Sequence, residues 1–259
     1  TGGLGLETIG AIPAIRTKGR KHSPDDAAQI VECLRTIRLN LRHATMSSGP
    51  LVLTVSSPGV GDGKSLVCAN LAPSFAESGV RTLLIDGDVR RGELHRTFGT
   101  GRNPGLIDLL AGEVSLGEVL HQTEHAGLEF MPSGSRRRSG PELLASPAMS
   151  RLIAQMRAQF DVIIVDSAPL GAGIDPFALA VATTNLVLVF RTGTTDRGMA
   201  EAKLHTVDRL PVRVLGAILN DVSTRGVYRY YSYLYGYTAS DEESRFGSAA
   251  LSGEVTAAR

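Results

Sequence analysis

Val55-Ser56-Ser57-Pro58-Gly59-Val60-Gly61-Asp62-Gly63-Lys64-Ser65 joins a short β-prone run, Leu51 to Val55, to a stretch from Leu66 to Ser78 with helical spacing. Strand, glycine-rich turn and helix in that order make a phosphate cradle. Gly59, Gly61 and Gly63 let backbone N–H groups turn inward, and the start of the helix adds its dipole, so an anion is favoured there. Lys64 is placed to reach the β- and γ-phosphates and the Ser65 hydroxyl to ligate Mg²⁺, with Asp62 and Leu66 completing the nucleotide-lining stretch. The strict spacing G-x-x-x-x-G-K-[ST] asks for glycine where this chain has Pro58. The competing reading is a left-handed glycine turn that ends in Lys-Ser without binding anything.

Outward from this turn, short apolar runs alternate with helical patterns, the signature of β-α-β construction and a mostly parallel sheet flanked by helices. Strands are expected at 51–56, 81–86, 127–131, 161–166, 185–191 and 212–220. Helices are expected at 64–78, in parts of 105–121, and at 148–159, 175–183 and 197–209. Ligands of such sheets bind at the carboxyl ends of the strands. Two of those ends carry acids: Leu83-Leu84-Ile85-Asp86-Gly87-Asp88-Val89-Arg90 and Asp161-Val162-Ile163-Ile164-Val165-Asp166. Mg²⁺ takes a few carboxylate or hydroxyl oxygens together with water and phosphate oxygens, which Ser65, Asp88 and Asp166 can supply. Asp86 belongs to the same candidate metal set and is also the group free to orient or deprotonate a nucleophile. For any one of these acids, the alternative is a cap on the following helix.

The 259 residues, 42% of them hydrophobic, suffice for one substantial core, and a single domain with mobile ends is expected. A net charge of +1 provides no global field for nucleic acid or a membrane surface. Basic charge is instead local, at Arg16, Lys18, Arg20 and Lys21 and at Arg136-Arg137-Arg138. Cys33 and Cys68 are the only cysteines, which argues against a disulfide framework. No apolar run reaches the length of a membrane span and no signal peptide is apparent, so the polypeptide as given is expected to be soluble. The basic stretch ahead of the first helix is nonetheless what the cytoplasmic flank of a membrane span carries.

Three regions follow: a linker or irregular arm over 1–22, a main domain over 23–225, and a polar tail over 226–259. Ser23-Pro24-Asp25-Asp26 is a helix start, and the helix is expected to run to about Ala44. Ala27, Ile30, Leu34, Ile37 and Leu41 share its apolar face, bordered by Arg38. Glu32-x-x-Arg35-x-x-Arg38 is then a charged ridge, read either as intrahelical ion pairs or as a contact with a neighbouring subunit.

The paired acids of Asp86-Gly87-Asp88-Val89-Arg90 resemble the extra Walker-type motif of the bacterial tyrosine kinases, the P-loop autokinases of capsule and exopolysaccharide export. The Glu32-x-x-Arg35-x-x-Arg38 ridge resembles that family's subunit-contact motif. All six tyrosines fall within Tyr228-Arg229-Tyr230-Tyr231-Ser232-Tyr233-Leu234-Tyr235-Gly236-Tyr237, which is similar to the family's C-terminal tyrosine cluster. An aromatic edge strand and a base-stacking platform with Arg229 are the other readings of that cluster.

The resemblance implies an α/β P-loop NTPase of the deviant-Walker (MinD/ParA-like) branch that uses ATP and Mg²⁺. Its activity would be transfer of the γ-phosphoryl group to tyrosines of its own C-terminal cluster, Tyr228, Tyr230, Tyr231, Tyr233, Tyr235 and Tyr237. The acceptor would be held by Asp86, with Arg90 stabilising charge or forming a salt bridge, and Asn220 contacting adenine. It further implies a ring of copies, a transmembrane adaptor (polysaccharide co-polymerase) fused or separate, a cognate tyrosine phosphatase, no nucleic-acid partner, and a place at the inner face of the bacterial plasma membrane. Two departures stand out: Gly140-Pro141 where the family has Asn-Pro before Glu-Leu-Leu, and Asn185 where Asp is common. The rivals are a spatial-positioning ATPase, whose signature lysine would stand where Gly59 is, and a nucleotide-binding scaffold without catalysis.

Overall fold

The computed structural model describes residues 3–14, 24–44 and 49–223. The strands are β1 (Thr8–Pro13), β2 (Leu51–Ser56), β3 (Thr82–Asp86), β4 (His121–Gln122), β5 (Leu128–Met131), β6 (Val162–Asp166), β7 (Asn185–Arg191) and β8 (Arg213–Val222). They form one eight-stranded sheet in the order β1-β8-β7-β2-β6-β3-β5-β4. Every pairing is parallel except β4 with β5. β2, β3 and β6 are buried along their whole length, as strands covered on both faces must be, which is why they read as continuous apolar runs.

The helices are α1 (Pro24–Ala44), α2 (Lys64–Ala76), α3 (Leu94–Thr97), α4 (Leu106–Leu110), α5 (Leu116–Val119), α6 (Gly140–Leu144), α7 (Pro147–Met156), α8 (Asp175–Thr183) and α9 (Arg197–Val207). On one face, Leu34, Ile37 and Leu41 of α1 and Leu71 and Phe75 of α2 bury against Leu53, Leu84 and Ile164. On the other, Met149, Ile153 and Met156 of α7 and Leu179 of α8 cover Val52, Leu83 and Ile163. Leu204 and Val207 of α9 close a third cluster with Leu186 and Leu188. Among the described residues, no helix is long and apolar enough to cross a membrane.

The strands expected from periodicity are found to within two residues, and the sheet is the mostly parallel one expected. Residues 1–22 require a correction. Part of what was read as an irregular arm, Thr8–Pro13, is the edge strand β1, paired with β8. Its pattern was illegible because the register shifts twice over six residues and Gly10 interrupts the alternation. Gly10 is needed there: a Cβ would stand 2.2 Å from Ile37 Cγ1, so only glycine lets α1 settle on the strand. Asn40 fixes the same contact by donating to the Ile9 carbonyl at 2.9 Å. The unusual Asn185 also has a purpose, donating to the Val52 carbonyl at 2.8 Å, which a carboxylate could not do.

The α1 ridge divides. Glu32 and Arg35 pair with each other at a partly exposed position. Arg38 turns inward instead and donates to the Ser74 carbonyl of α2, half-buried. The tyrosine cluster at 228–237, the acids and small residues that follow it, the basic residues at 16–21 and the Ser23 cap lie outside the described residues.

Candidate active site

Gly61 and Gly63 adopt φ of +86° and +94°, so the turn between β2 and α2 needs glycine at both places. At Gly63 the requirement is also spatial, because a Cβ would lie 2.0 Å from Asn220 Nδ2. Asp62 then organises the turn from within. Its Oδ2 accepts from the Gly59 N–H at 2.9 Å, its Oδ1 from the Thr195 hydroxyl at 2.7 Å, and its carbonyl from Asn220 Nδ2 at 2.9 Å.

The Gly59 N–H is thus given to Asp62, and Asn220, the residue expected to contact adenine, gives its amide N–H to the Asp62 carbonyl. Pro58 is compatible with the turn because its carbonyl, not its missing N–H, makes the bond, accepting from Gly171 N at 3.2 Å. Leu66 is nearly half exposed beside the turn.

The acids converge as expected. β3 and β6 are neighbours, with Asp86 directly opposite Asp166. β6 is in turn beside β2, which feeds the turn. Lys64 Nζ stands 3.4 Å from Asp88 Oδ2 and 3.2 Å from Ser65 Oγ. Asp88 Oδ1 accepts from Arg91 N at 2.9 Å, and Asp86 Oδ1 from Asp88 N at 3.2 Å. Cys68, one helical turn after Lys64, directs its thiol to Asp166 Oδ1 at 3.7 Å.

Asp86 is fully buried, and its Oδ2 has no hydrogen-bond partner. Burial, then the charges of Asp166 and Asp88, push its carboxyl well above the ordinary range. Asp166 is also raised by burial, against the opposing pull of Lys64. Burial works against the Lys64 ammonium, but Asp166 and Asp88 outweigh it and hold its pKa up. Asp88 and Asp166 face the Lys64 ammonium, and buried Asp86 beside them has an oxygen without a partner, a donor set that fits a hard divalent cation. Among the described residues, no three of His, Cys, Asp and Glu form a protein-only metal cage.

Arg90 resolves to the salt bridge. Its Nε and Nη2 reach the two carboxylate oxygens of buried Asp175, in the first turn of α8, at 2.6 and 3.1 Å. That fork anchors the loop after β3 and leaves Arg90 committed to Asp175.

A family model described as an AAA domain matches residues 52–212. The putative tyrosine-protein kinase EpsB of Ralstonia nicotianae is 36% identical over 225 residues, which cover 83% of this chain and 30% of that protein. The tyrosine-protein kinase CpsD of Streptococcus agalactiae is 32% identical over 210 residues, covering 79% of this chain and 91% of that one. The chain belongs to the bacterial tyrosine kinase family, within the AAA domains. Its fold agrees, matching the kinase domain of the Escherichia coli tyrosine kinase ETK with a TM-score of 0.77 at 27% identity, over 86% of this chain and 92% of that domain. The chain spans about a third of the length of relatives such as EpsB.

In this tyrosine kinase family domain, three positioning residues carried no sequence signal. Arg102 donates to the carbonyls of Gly92 at 2.7 Å, Gly134 at 2.9 Å and Val89 at 3.3 Å, clamping the loop after β3 to the loop after β5. Thr195 holds Asp62, and Asp175 holds Arg90. Each is brought in from a distant segment by the topology, so no local motif could announce it. Gly92 is a fourth constraint, since a Cβ there would come within 2.6 Å of both Asp86 oxygens.

Proposed function

We propose that the chain is an ATP-dependent protein-tyrosine autokinase that moves the γ-phosphoryl group of ATP to tyrosines of its C-terminal cluster on a neighbouring copy. The observation that carries this reading is the meeting of Lys64, Asp88, Asp86 and Asp166 at adjacent strand ends beside a glycine-rich turn. In the transfer, a bond forms between a tyrosine oxygen and the γ-phosphorus and the bond to the β-phosphate oxygen breaks. ADP leaves, and the phenolic proton passes to a carboxylate. Such transfer is mostly positioning and charge stabilisation.

Lys64 neutralises the β- and γ-phosphate oxygens. Ser65, Asp88 and Asp166 would hold Mg²⁺, with Asp86 at the edge of the same set; when bound, the ion supplies charge neutralisation and alignment of the phosphates. Asp86 orients the incoming hydroxyl and takes its proton, beside Gly92, whose lack of a side chain leaves its carboxylate room.

Glu32, Arg35 and Arg38 are the proposed ring contact, with Arg38 acting from its place against the Ser74 carbonyl of its own chain. Arg35→Ala with Arg38→Ala shifts the assembly toward monomer, and unchanged sedimentation velocity would reject that contact.

By the same family reading, the ring works with a transmembrane adaptor and a tyrosine phosphatase in polysaccharide export at the inner face of the plasma membrane. Replacing all six cluster tyrosines with Phe tests the acceptor assignment: phosphate incorporation from ATP falls to a small residue, and label persisting at the wild-type level would refute it.

A further inference from the structure

We propose that Arg136 and Arg138 form a docking surface for carboxylates, and that its occupant is the Asp241-Glu242-Glu243 stretch of a second copy of this chain. The inference rests on the kinase reading and adds to it how the tail is held. Arg136-Arg137-Arg138 lies in the loop after β5, and its three members have different fates. Arg137 is consumed internally, by Glu113 and by Asp108 at 3.3 Å. Arg136 and Arg138 are exposed, and neither makes an ion pair among the described residues.

Their loop is held close to the acids. Gly134, two residues before Arg136, gives its carbonyl to Arg102 Nε at 2.9 Å, and the same guanidinium reaches Gly92 at 2.7 Å. Gly92 is the residue pressed against the Asp86 carboxylate. Arg102 thus spans the interval between the phosphoryl-transfer acids and the exposed arginines.

Positive charge accumulates along this rim. Burial first, and then Arg136, lowers the pKa of Arg102. His95 is lowered by burial, with Arg102, Arg96 and Arg136 adding to the effect. Asp86, Asp88 and Glu93 offset part of this charge at Arg102, and Glu93 pairs with Arg96, whereas Arg136 and Arg138 at the outer end of the rim make no ion pair among the described residues and favour an anionic partner.

The sequence supplies one at a suitable spacing. Asp241, Glu242 and Glu243 begin four residues after Tyr237, the last tyrosine. Four extended residues span at most about 14 Å, a reach suited to a tyrosine at Asp86 with its acids at the arginine loop.

The test uses two full-length copies. The enzyme copy carries Phe at the six cluster tyrosines and Gln at 241–243, so that it neither accepts phosphate nor competes with its own tail. The acceptor copy carries Lys64→Met. Arg136→Glu with Arg138→Glu in the enzyme copy raises the KM for the acceptor copy about tenfold, while the KM for ATP stays within about twofold. Lys at positions 241–243 of the acceptor then restores most of the loss. An unchanged acceptor KM, or no rescue by the charge-swapped acceptor, overturns the proposal.

A second arm needs no chemistry. A fluorescent peptide of residues 226–246 binds the enzyme copy without ATP, and charge reversal weakens it about tenfold, with the milder Arg136→Gln and Arg138→Gln pair in between. Equal binding to all three proteins overturns the docking surface even if phosphate transfer is normal. Weakened binding together with no transfer by any copy would leave the surface standing and remove the kinase reading.

Discussion

Lys64→Met abolishes phosphotyrosine formation, with a loss of about 10²–10³-fold or more expected from removing a preorganised charge at the transferring group. The same substitution also acts on the empty protein. Lys64 is the ammonium that faces Asp88 and Asp166, and its side chain is only 15% exposed. Removing it leaves buried carboxylates without their counter-charge, so the melting temperature of the nucleotide-free variant falls at neutral pH and recovers as the acids are protonated at lower pH. Thermal scans at two pH values distinguish this from a misfolded variant, which would stay depressed at both. A variant that still gained phosphotyrosine when alone with ATP and Mg²⁺ would remove Lys64 from the mechanism.

Asp86→Asn separates catalysis from stability. Phosphoryl transfer falls by about 10²–10⁴-fold, the range for loss of a positioned base, while ATP affinity measured by calorimetry stays within a few-fold. Stability moves the other way. The folded-state pKa of Asp86 is raised above its unfolded value, chiefly by burial. Its protonated form therefore stabilises the fold below the ordinary carboxylate range, and that contribution is lost as pH rises through the raised value. Asparagine has no proton to lose. The nucleotide-free variant should accordingly melt above the wild type near pH 8 and converge with it as pH falls, with roughly 2–4 °C per kcal/mol in a domain of this size. A variant that melts lower at pH 8, or a difference that does not shrink on acidification, would show that Asp86 is not the strained group of this site.

How legible each feature is in the sequence depends on the chain distance over which it is built. The turn from Pro58 to Ser65 and the acids ending β3 and β6 were legible because strand, turn and helix are contiguous, and because parallel strands put their carboxyl ends at one rim. That rule puts Asp86 and Asp166 at one rim, whereas their direct pairing across β3 and β6 comes from the strand order, which no local pattern carries. The supporting contacts were not legible. Asp62 meets Thr195 and Asn220 across 133 and 158 residues, and Arg90 meets Asp175 across 85. The bonds that Asp62 makes within the turn, to Gly59 and Thr195, have no signature in a glycine-rich stretch. β1 was lost for a different reason: a six-residue edge strand with shifts in its register has too little alternation to stand out, and its identity comes from α1 and β8 packing on it. Arg38 shows the limit of a helical ridge as a guide, since one member of an apparently outward triad reaches inward to Ser74.

The most direct test of the central claim is tandem mass spectrometry of the purified chain after incubation with ATP and Mg²⁺, beside the Lys64→Met variant treated identically. The account predicts phosphate on Tyr228, Tyr230, Tyr231, Tyr233, Tyr235 or Tyr237 of the first and on none of them in the second. A wild-type chain that consumes ATP yet leaves every one of these tyrosines unmodified would contradict it.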